Sequence, residues 1–293
     1  MKPPPFDYSA PGTLDEALSL LSDLGDEARP LAGGQSLIPL LSLRLARPSH
    51  LVDLARIADR ELTAIVRTDG HVTIGAMVRE RQAEADDAVS HGAPLLAEAL
   101  PLIGHPAIRS RGTVGGSLSH ADPAAELPAV TLVLSAEMVV QSSSRGRRSI
   151  RAEDFFTGFF STAMDDDEIL VQVRVPVPPP ATGTAIAEVA RRHGDFAMVG
   201  AAAAVRLDGG RVAGARVALT GVSDTPLLLA DADKLLAGVE PTIEVLQEAA
   251  AELVRPLSPP SDVHGSSAYR RHLAVVLVRR TLETSVRRAE EAA

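Results

Sequence analysis

Two glycine-bearing runs carry the residue types best suited to hold a ligand. The first reads Ala32-Gly33-Gly34-Gln35-Ser36, and the second reads Arg111-Gly112-Thr113-Val114-Gly115-Gly116-Ser117. Paired glycines remove side chains, so a ligand can lie directly against peptide N–H groups. A serine follows each pair. One such loop is a weak signal, since a tight strand-to-helix turn without a ligand has the same signature. Two of them point to a long diphosphate ligand gripped from two sides. Ser36 opens an apolar-periodic segment, and a helix N-terminus there would favour a phosphate.

Further groups surround the second run. It leads into Leu118-Ser119-His120-Ala121-Asp122-Pro123-Ala124-Ala125-Glu126. Glu126 falls near the start of a helix expected from about Pro123, where it could accept hydrogen bonds from sugar or polyol hydroxyls. His120 and Asp122 look like a catalytic pair on paper, yet no G-x-S-x-G elbow accompanies them, which speaks against a hydrolase. A third cluster, Arg191-Arg192-His193-Gly194-Asp195-Phe196-Ala197, places an aromatic after a turn. Phe196 could cover a planar ring or be buried in a hairpin; residue physics favours the buried hairpin. Asp165-Asp166-Asp167-Glu168 reads as a solvated turn before a strand.

Several chemistries are excluded. The chain has no cysteine, so it offers no disulfide, thiolate metal site, iron–sulfur ligation or cysteine nucleophile. Lysine occurs only at Lys2 and Lys234, and no G-x-x-x-x-G-K-[ST] loop exists. Neither glycine run continues as the G-x-G-x-x-G of a dinucleotide fold. A net charge of -9 and the lack of a basic, aromatic-interleaved stretch argue against nucleic acid. Met1-Lys2-Pro3-Pro4-Pro5 lacks an apolar signal core, and no stretch has membrane-spanning character, so a cytoplasmic protein is expected.

The elements that must position these residues fall into segments. The 293 residues, 45% of them hydrophobic, suit about two domains. Residues 1–55 read as a small α/β unit: a helix capped by Thr13 and Glu16, a strand over Ala28 to Leu31, a helix over Ser36 to Arg44, and a strand over His50 to Leu54. Residues 56–176 read as α+β. A hairpin around Asp69-Gly70 joins strands at Leu62 to Val66 and His71 to Gly75, and a helix spans Ala93 to Ile103. Val130 to Val140, Ser149-Ile150 and Ile169 to Pro176 read as strands. A proline-rich linker over 177–183 is the expected boundary. Residues 184–293 follow as three strands and then helices, a second α+β domain.

Taken together, these motifs resemble the FAD-binding medium subunit of the molybdenum hydroxylases, the carbon monoxide dehydrogenase and xanthine dehydrogenase flavoprotein family. The likeness rests on A-G-G-Q-S at Ala32 to Ser36, T-V-G-G-S at Thr113 to Ser117, A-D-P-A-A-E-L-P at Ala121 to Pro128 and R-R-H-G-D-F-A at Arg191 to Ala197. It covers essentially the whole chain. The resemblance implies a two-part FAD-binding domain of the vanillyl-alcohol-oxidase (PCMH-like) type and a small C-terminal α+β domain. It implies that Ala32, Gly33, Gly34, Gln35 and Ser36, with Thr113, Val114, Gly115, Gly116 and Ser117, hold the FAD pyrophosphate. Glu126 falls where the family often has an aspartate that binds ribityl or ribose hydroxyls. Leu170 falls where a leucine backbone lies near flavin or adenine. Glu188 falls where several members carry a flavin-proximal lysine. Asp195 and Phe196 complete the implied cofactor set, with no catalytic or metal-ligating residue in this chain. The implied partners are a large molybdopterin-binding subunit and a small [2Fe–2S] subunit, assembled as a dimer of heterotrimers. Electrons would pass from the iron–sulfur subunit through FAD to an external acceptor. A self-sufficient FAD oxidase or reductase, and an assembly subunit without FAD, are the competing expectations.

Overall fold

The computed structural model describes residues 2–293. The chain begins with strand β1 (Asp7–Ser9), helix α1 (Leu14–Leu24), β2 (Ala28–Leu31), α2 (Leu37–Ser42) and β3 (His50–Asp53). The strands form a parallel sheet in the order β1-β3-β2. Thr13 and Glu16 make the expected capping box: Thr13 Oγ1 accepts from Glu16 N at 3.2 Å, and Glu16 Oε2 accepts from Thr13 N at 3.3 Å. Leu14, Ala17, Leu18 and Leu21 then share the buried face of α1. Helix α2 is shorter than the Ser36 to Arg44 segment expected. Its chain turns out at Arg44, which takes the left-handed φ of 60°.

The second segment holds β4 (Ile65–Arg67), β5 (His71–Gly75), α3 (Glu80–Glu84), α4 (Pro94–Ala99), α5 (Val114–His120) and α6 (Glu126–Val133). Strands β6 (Glu137–Ser142) and β7 (Gly146–Arg151), the short β8 (Phe156–Gly158) and β9 (Ser161–Thr162), and β10 (Ile169–Pro176) follow. A five-stranded antiparallel sheet runs β4-β5-β10-β6-β7. The expected hairpin at Asp69-Gly70 joins β4 and β5. Leu62, however, sits in a helical turn over Arg60–Thr63 and not in a strand, because Asp59 caps that turn by accepting from Glu61 N at 2.9 Å. The expected long helix over Ala93 to Ile103 is α4 followed by a tighter turn over Leu100–Leu102 that contains Pro101.

The largest difference lies at Val130 to Val133. These residues were expected to begin a strand, but they end helix α6, and β6 starts only at Glu137. Every residue of α6 is buried. An apolar run covered on all sides has no helical stripe, so its period cannot separate helix from strand. The cause is tertiary. Arg216, from the far end of the chain, donates to the carbonyls of Leu132 at 2.7 Å and Val133 at 3.1 Å. A guanidinium on the last carbonyls satisfies and stabilises a helix C-terminus.

The last segment contains β11 (Thr182–Ala190), β12 (Ala197–Asp208), β13 (Arg211–Thr220), β14 (Leu227–Leu228), α7 (Ile243–Val254) and α8 (Ser267–Glu291). The strands form one antiparallel sheet in chain order. β11 begins at Thr182, so the proline stretch is shorter than the linker expected over 177–183. The run Ala201, Ala202, Ala203, Ala204 explains how this sheet is used. Ala201 and Ala203 pack in one core with α7 and α8, while Ala202 lies in the other core with residues of the first two segments. Small side chains let both layers approach the strand. No helix among the described residues is long and apolar enough to cross a membrane.

Candidate functional site

The two glycine runs meet. A Cβ on Gly33 would collide with the carbonyl oxygen of Arg111 and lie 2.8 Å from Gly112 Cα. Both runs border one cavity of about 1140 Å³. Small-ligand pockets span about 300–1,000 Å³, so this one is large enough for a dinucleotide.

The loops contribute differently. After β2, Gly34 takes a left-handed φ of 73°, and the N–H groups of Gly33, Gly34, Gln35 and Ser36 meet no protein acceptor among the described residues. Gln35 Nε2 donates to Gly33 O at 3.1 Å and steadies the turn. Successive unpaired N–H groups around a left-handed residue form an anion-binding nest. The second run is built otherwise. Val114 N donates to Val78 O at 3.0 Å, Gly115 N to Ala76 O at 2.9 Å and Gly116 N to Thr113 Oγ1 at 3.0 Å. Its glycines allow close packing: a Cβ on Gly115 would lie 2.7 Å from Ala76 Cα. The expectation of exposed N–H groups therefore holds for the first run and fails for the second. Thr113 also caps α5, which carries the polar stretch after Gly116.

Of the other expected residues, Ala32, Ser117, Glu126, Leu170, Asp195 and Phe196 border the cavity. Val114 does not; it is 1% exposed and its side chain belongs to the core. Glu188 does not either. It pairs with Gly200 inside the β11–β12 ladder, away from the connecting turn that reaches the cavity. Glu126 lies at a helix start as expected; that helix, α6, begins at Glu126 itself and not at Pro123. The Pro123 carbonyl is engaged elsewhere, accepting from Thr220 Oγ1 at 2.6 Å and Gly221 N at 2.9 Å. Leu170 sits at a register shift between β10 and β6, where regular pairing is interrupted beside the cavity. Phe196 is 64% exposed, against the expectation of a buried hairpin aromatic. Gly194, with φ of 85°, seats this turn against His105 and the Gly104 carbonyl.

Phe160 and Glu80 are among the residues of the cavity wall that sequence reasoning missed. Phe160 ends the β8–β9 turn at a φ of 51° and stacks on His120, ring centroids 4.9 Å apart. The Phe159-Phe160 doublet in a turn was the available signal. Glu80 had none, because its place depends on Gly112, far along the chain. Burial lowers the His120 pKa against the pull of Asp122, which favours a neutral ring.

Burial dominates the carboxyls. It pushes Glu126 up to about 8, with Glu188, Glu80 and Asp122 adding like charge, while the Glu126 backbone N–H opposes. Burial alone pushes Glu188 up to about 7. Glu80 also rises to about 7 by burial, opposed by Arg109. Raised folded-state values mean that the native chain holds more protons than the unfolded chain from about pH 5 to pH 8. Their contribution to stability is full below the ordinary carboxylate range and is lost as pH rises through these values. The flavin-free chain is expected to melt at lower temperature at pH 8 than at pH 6; an equal or higher melting point at pH 8 would refute this account.

The parts fit a flavin dinucleotide: an unpaired N–H nest for a diphosphate, a cavity of about 1140 Å³, hydroxyls at Ser36 and Ser117, and aromatic side chains at Phe160 and Phe196 in its wall. The comparisons agree. Residues 4–178 match the family model described as FAD binding domain in molybdopterin dehydrogenase, and residues 184–285 match the CO dehydrogenase flavoprotein C-terminal domain. The fold and site are thus those of an FAD-binding oxidoreductase subunit. The chain is 41% identical to the 6-hydroxypseudooxynicotine dehydrogenase complex subunit alpha of Paenarthrobacter nicotinovorans, covering 99% of this chain and 97% of that one. It is 38% identical to the carbon monoxide dehydrogenase medium chain of Hydrogenophaga pseudoflava, covering 97% and 98%. The solved carbon monoxide dehydrogenase of Hydrogenophaga pseudoflava that lacks the Mo-pyranopterin moiety superposes with a TM-score of 0.95 at 39% identity, covering 98% and 99%. The chain belongs to the FAD-binding medium-subunit family of the molybdenum hydroxylases.

Proposed function

We propose that this chain is the electron-relay subunit of a heterotrimeric molybdenum hydroxylase in the cytoplasm, assembled as a dimer of heterotrimers. Electrons enter from a small [2Fe–2S] subunit and leave to an external acceptor; a large molybdopterin subunit oxidises the substrate. FAD, when bound, supplies the ability to exchange electrons singly or in pairs. The observation that carries this reading is the convergence of the Gly33-Gly34 nest and the Thr113 to Ser117 run on one cavity. In it, residues 32–36 bind the diphosphate and Ser117 adds a hydroxyl. Glu126 binds a sugar or ribityl hydroxyl. Leu170 lines the wall by its backbone, and Asp195 and Phe196 cover the exposed end. Glu188 acts from behind the wall, through its charge state on Glu126. The chain has no cysteine to ligate the iron–sulfur cluster itself, so that centre comes from a partner.

The chain, affinity-tagged and purified from its native host, is expected to co-elute with molybdenum, iron and FAD in fixed ratio. Electrons given to the iron–sulfur centre should then bleach the flavin absorbance. A chain that elutes alone with FAD and turns over a substrate by itself overturns this reading in favour of a self-sufficient flavoenzyme.

A further inference from the structure

Glu80 opens α3 at the back of the second run and is 3% exposed. Its backbone N–H donates to Gly112 O at 3.0 Å, and a Cβ on Gly112 would collide with its carboxyl. Glu80 borders the cavity, and its Oε2 is buried without a hydrogen-bond partner. A buried carboxyl oxygen without a partner is costly, so such groups call for an explanation. The charges around it do not supply one. Arg109 is paired with Glu84 at 2.9 Å, and Arg79 donates to the Arg111 carbonyl. Glu126 and Asp122, which border the same cavity, are carboxyls and supply no cation.

We propose that Glu80 is a further FAD-contacting residue, a proton-bearing carboxyl that donates a hydrogen bond to a phosphate or ribityl oxygen held between the two glycine runs. This rests on the reading that those runs hold the dinucleotide. An ionised Glu80 beside a diphosphate would meet like charge in a poorly hydrated site. A neutral carboxyl there has a donor: Oε2 is closed off against Gly112, so the proton sits on Oε1, and the ligand oxygen gives that donor its partner. Binding of FAD is then coupled to retention of one proton, and affinity falls as pH rises. The elevated value of this carboxyl, about 7, places the change around neutrality.

The test measures FAD dissociation, by the recovery of free-flavin fluorescence, on the protein in the assembled form in which it holds FAD. Glu80 gives the wild type about a tenfold loss of affinity between pH 6 and pH 8. Glu80→Gln keeps a neutral donor of the same shape, so most of that loss should vanish while its affinity at pH 6 stays near wild type. Glu80→Met keeps the length without the donor and should bind more weakly than Glu80→Gln at pH 6. Packing alone predicts no such difference. A Glu80→Gln variant with the full wild-type pH slope, or a Glu80→Met variant that binds as well as Glu80→Gln, overturns the assignment to Glu80. A Gly33→Val variant that keeps its FAD would instead overturn the reading of the loops, and this proposal with it.

Discussion

Gly33→Val is expected to empty the cavity of FAD. The added Cβ meets the Arg111 carbonyl and Gly112 Cα, both backbone atoms that no rotamer change can move aside. The first loop must lift off the second. Overpacking of this kind costs about 1–3 kcal/mol, and a backbone neighbour puts it near the upper value. The effect on FAD is larger than the effect on folding, because the unpaired N–H groups of Gly33 to Ser36 are then no longer set against the second run. Flavin absorbance per protein should drop at least tenfold, while the melting of the C-terminal sheet changes little. A variant with full flavin content would show that the two loops do not grip one ligand. Gly34→Val acts differently, since Gly34 has a left-handed φ and only side chains nearby; its fault is backbone strain.

Gly183→Val is expected to give the largest loss of stability. Gly183 lies in β11 directly against α8, where a Cβ would overlap Ser285 O and Ala289 N and lie 3.0 Å from Arg288 C. These are helix backbone atoms, so strand and helix must separate. The change should cost about 3 kcal/mol or more. In a unit of this size that lowers the melting temperature by about 6 °C or more. Arg288 shares the damage: it donates to Thr184 O at 2.5 Å and pairs with Glu98 of the second segment at 2.5 Å. Differential scanning calorimetry checks this, and an unchanged melting profile would refute the contact. Flavin content should fall less than in Gly33→Val.

Local signals in the sequence were strong where chemistry is local. Thr13 with Glu16, the Asp69-Gly70 turn and the glycine runs were legible because each uses neighbours a few residues away. The reason for a glycine was less so. Gly33, Gly115 and Gly183 look alike as letters, yet one abuts the backbone of the second glycine run, one packs on Ala76 and one accepts a helix. That distinction depends on contacts far along the chain. The same holds for Val130 to Val133, whose helix is capped by Arg216, and for Glu80, whose environment is set by Gly112. Phe196 was placed correctly beside a turn, but its exposure follows from the seating of Gly194 on His105. Glu188 shows the limit of transferring a role by position: a residue can influence a site through its field without bordering it.

Helix α6 is fastened at both ends by β13 and the turn after it. Thr220 and Gly221 bind the Pro123 carbonyl just before it, and Arg216 binds its last carbonyls. The helix that orients Glu126 is therefore set by residues from beyond the proline stretch. Two family models divide the chain near that stretch, but a hybrid joined there from two relatives would inherit a mismatched clamp. Swapping the front part for another flavin domain would succeed only if Pro123, Arg216, Thr220 and Gly221 travelled as one inherited set. The unit of exchange in this protein crosses the boundary between its modules.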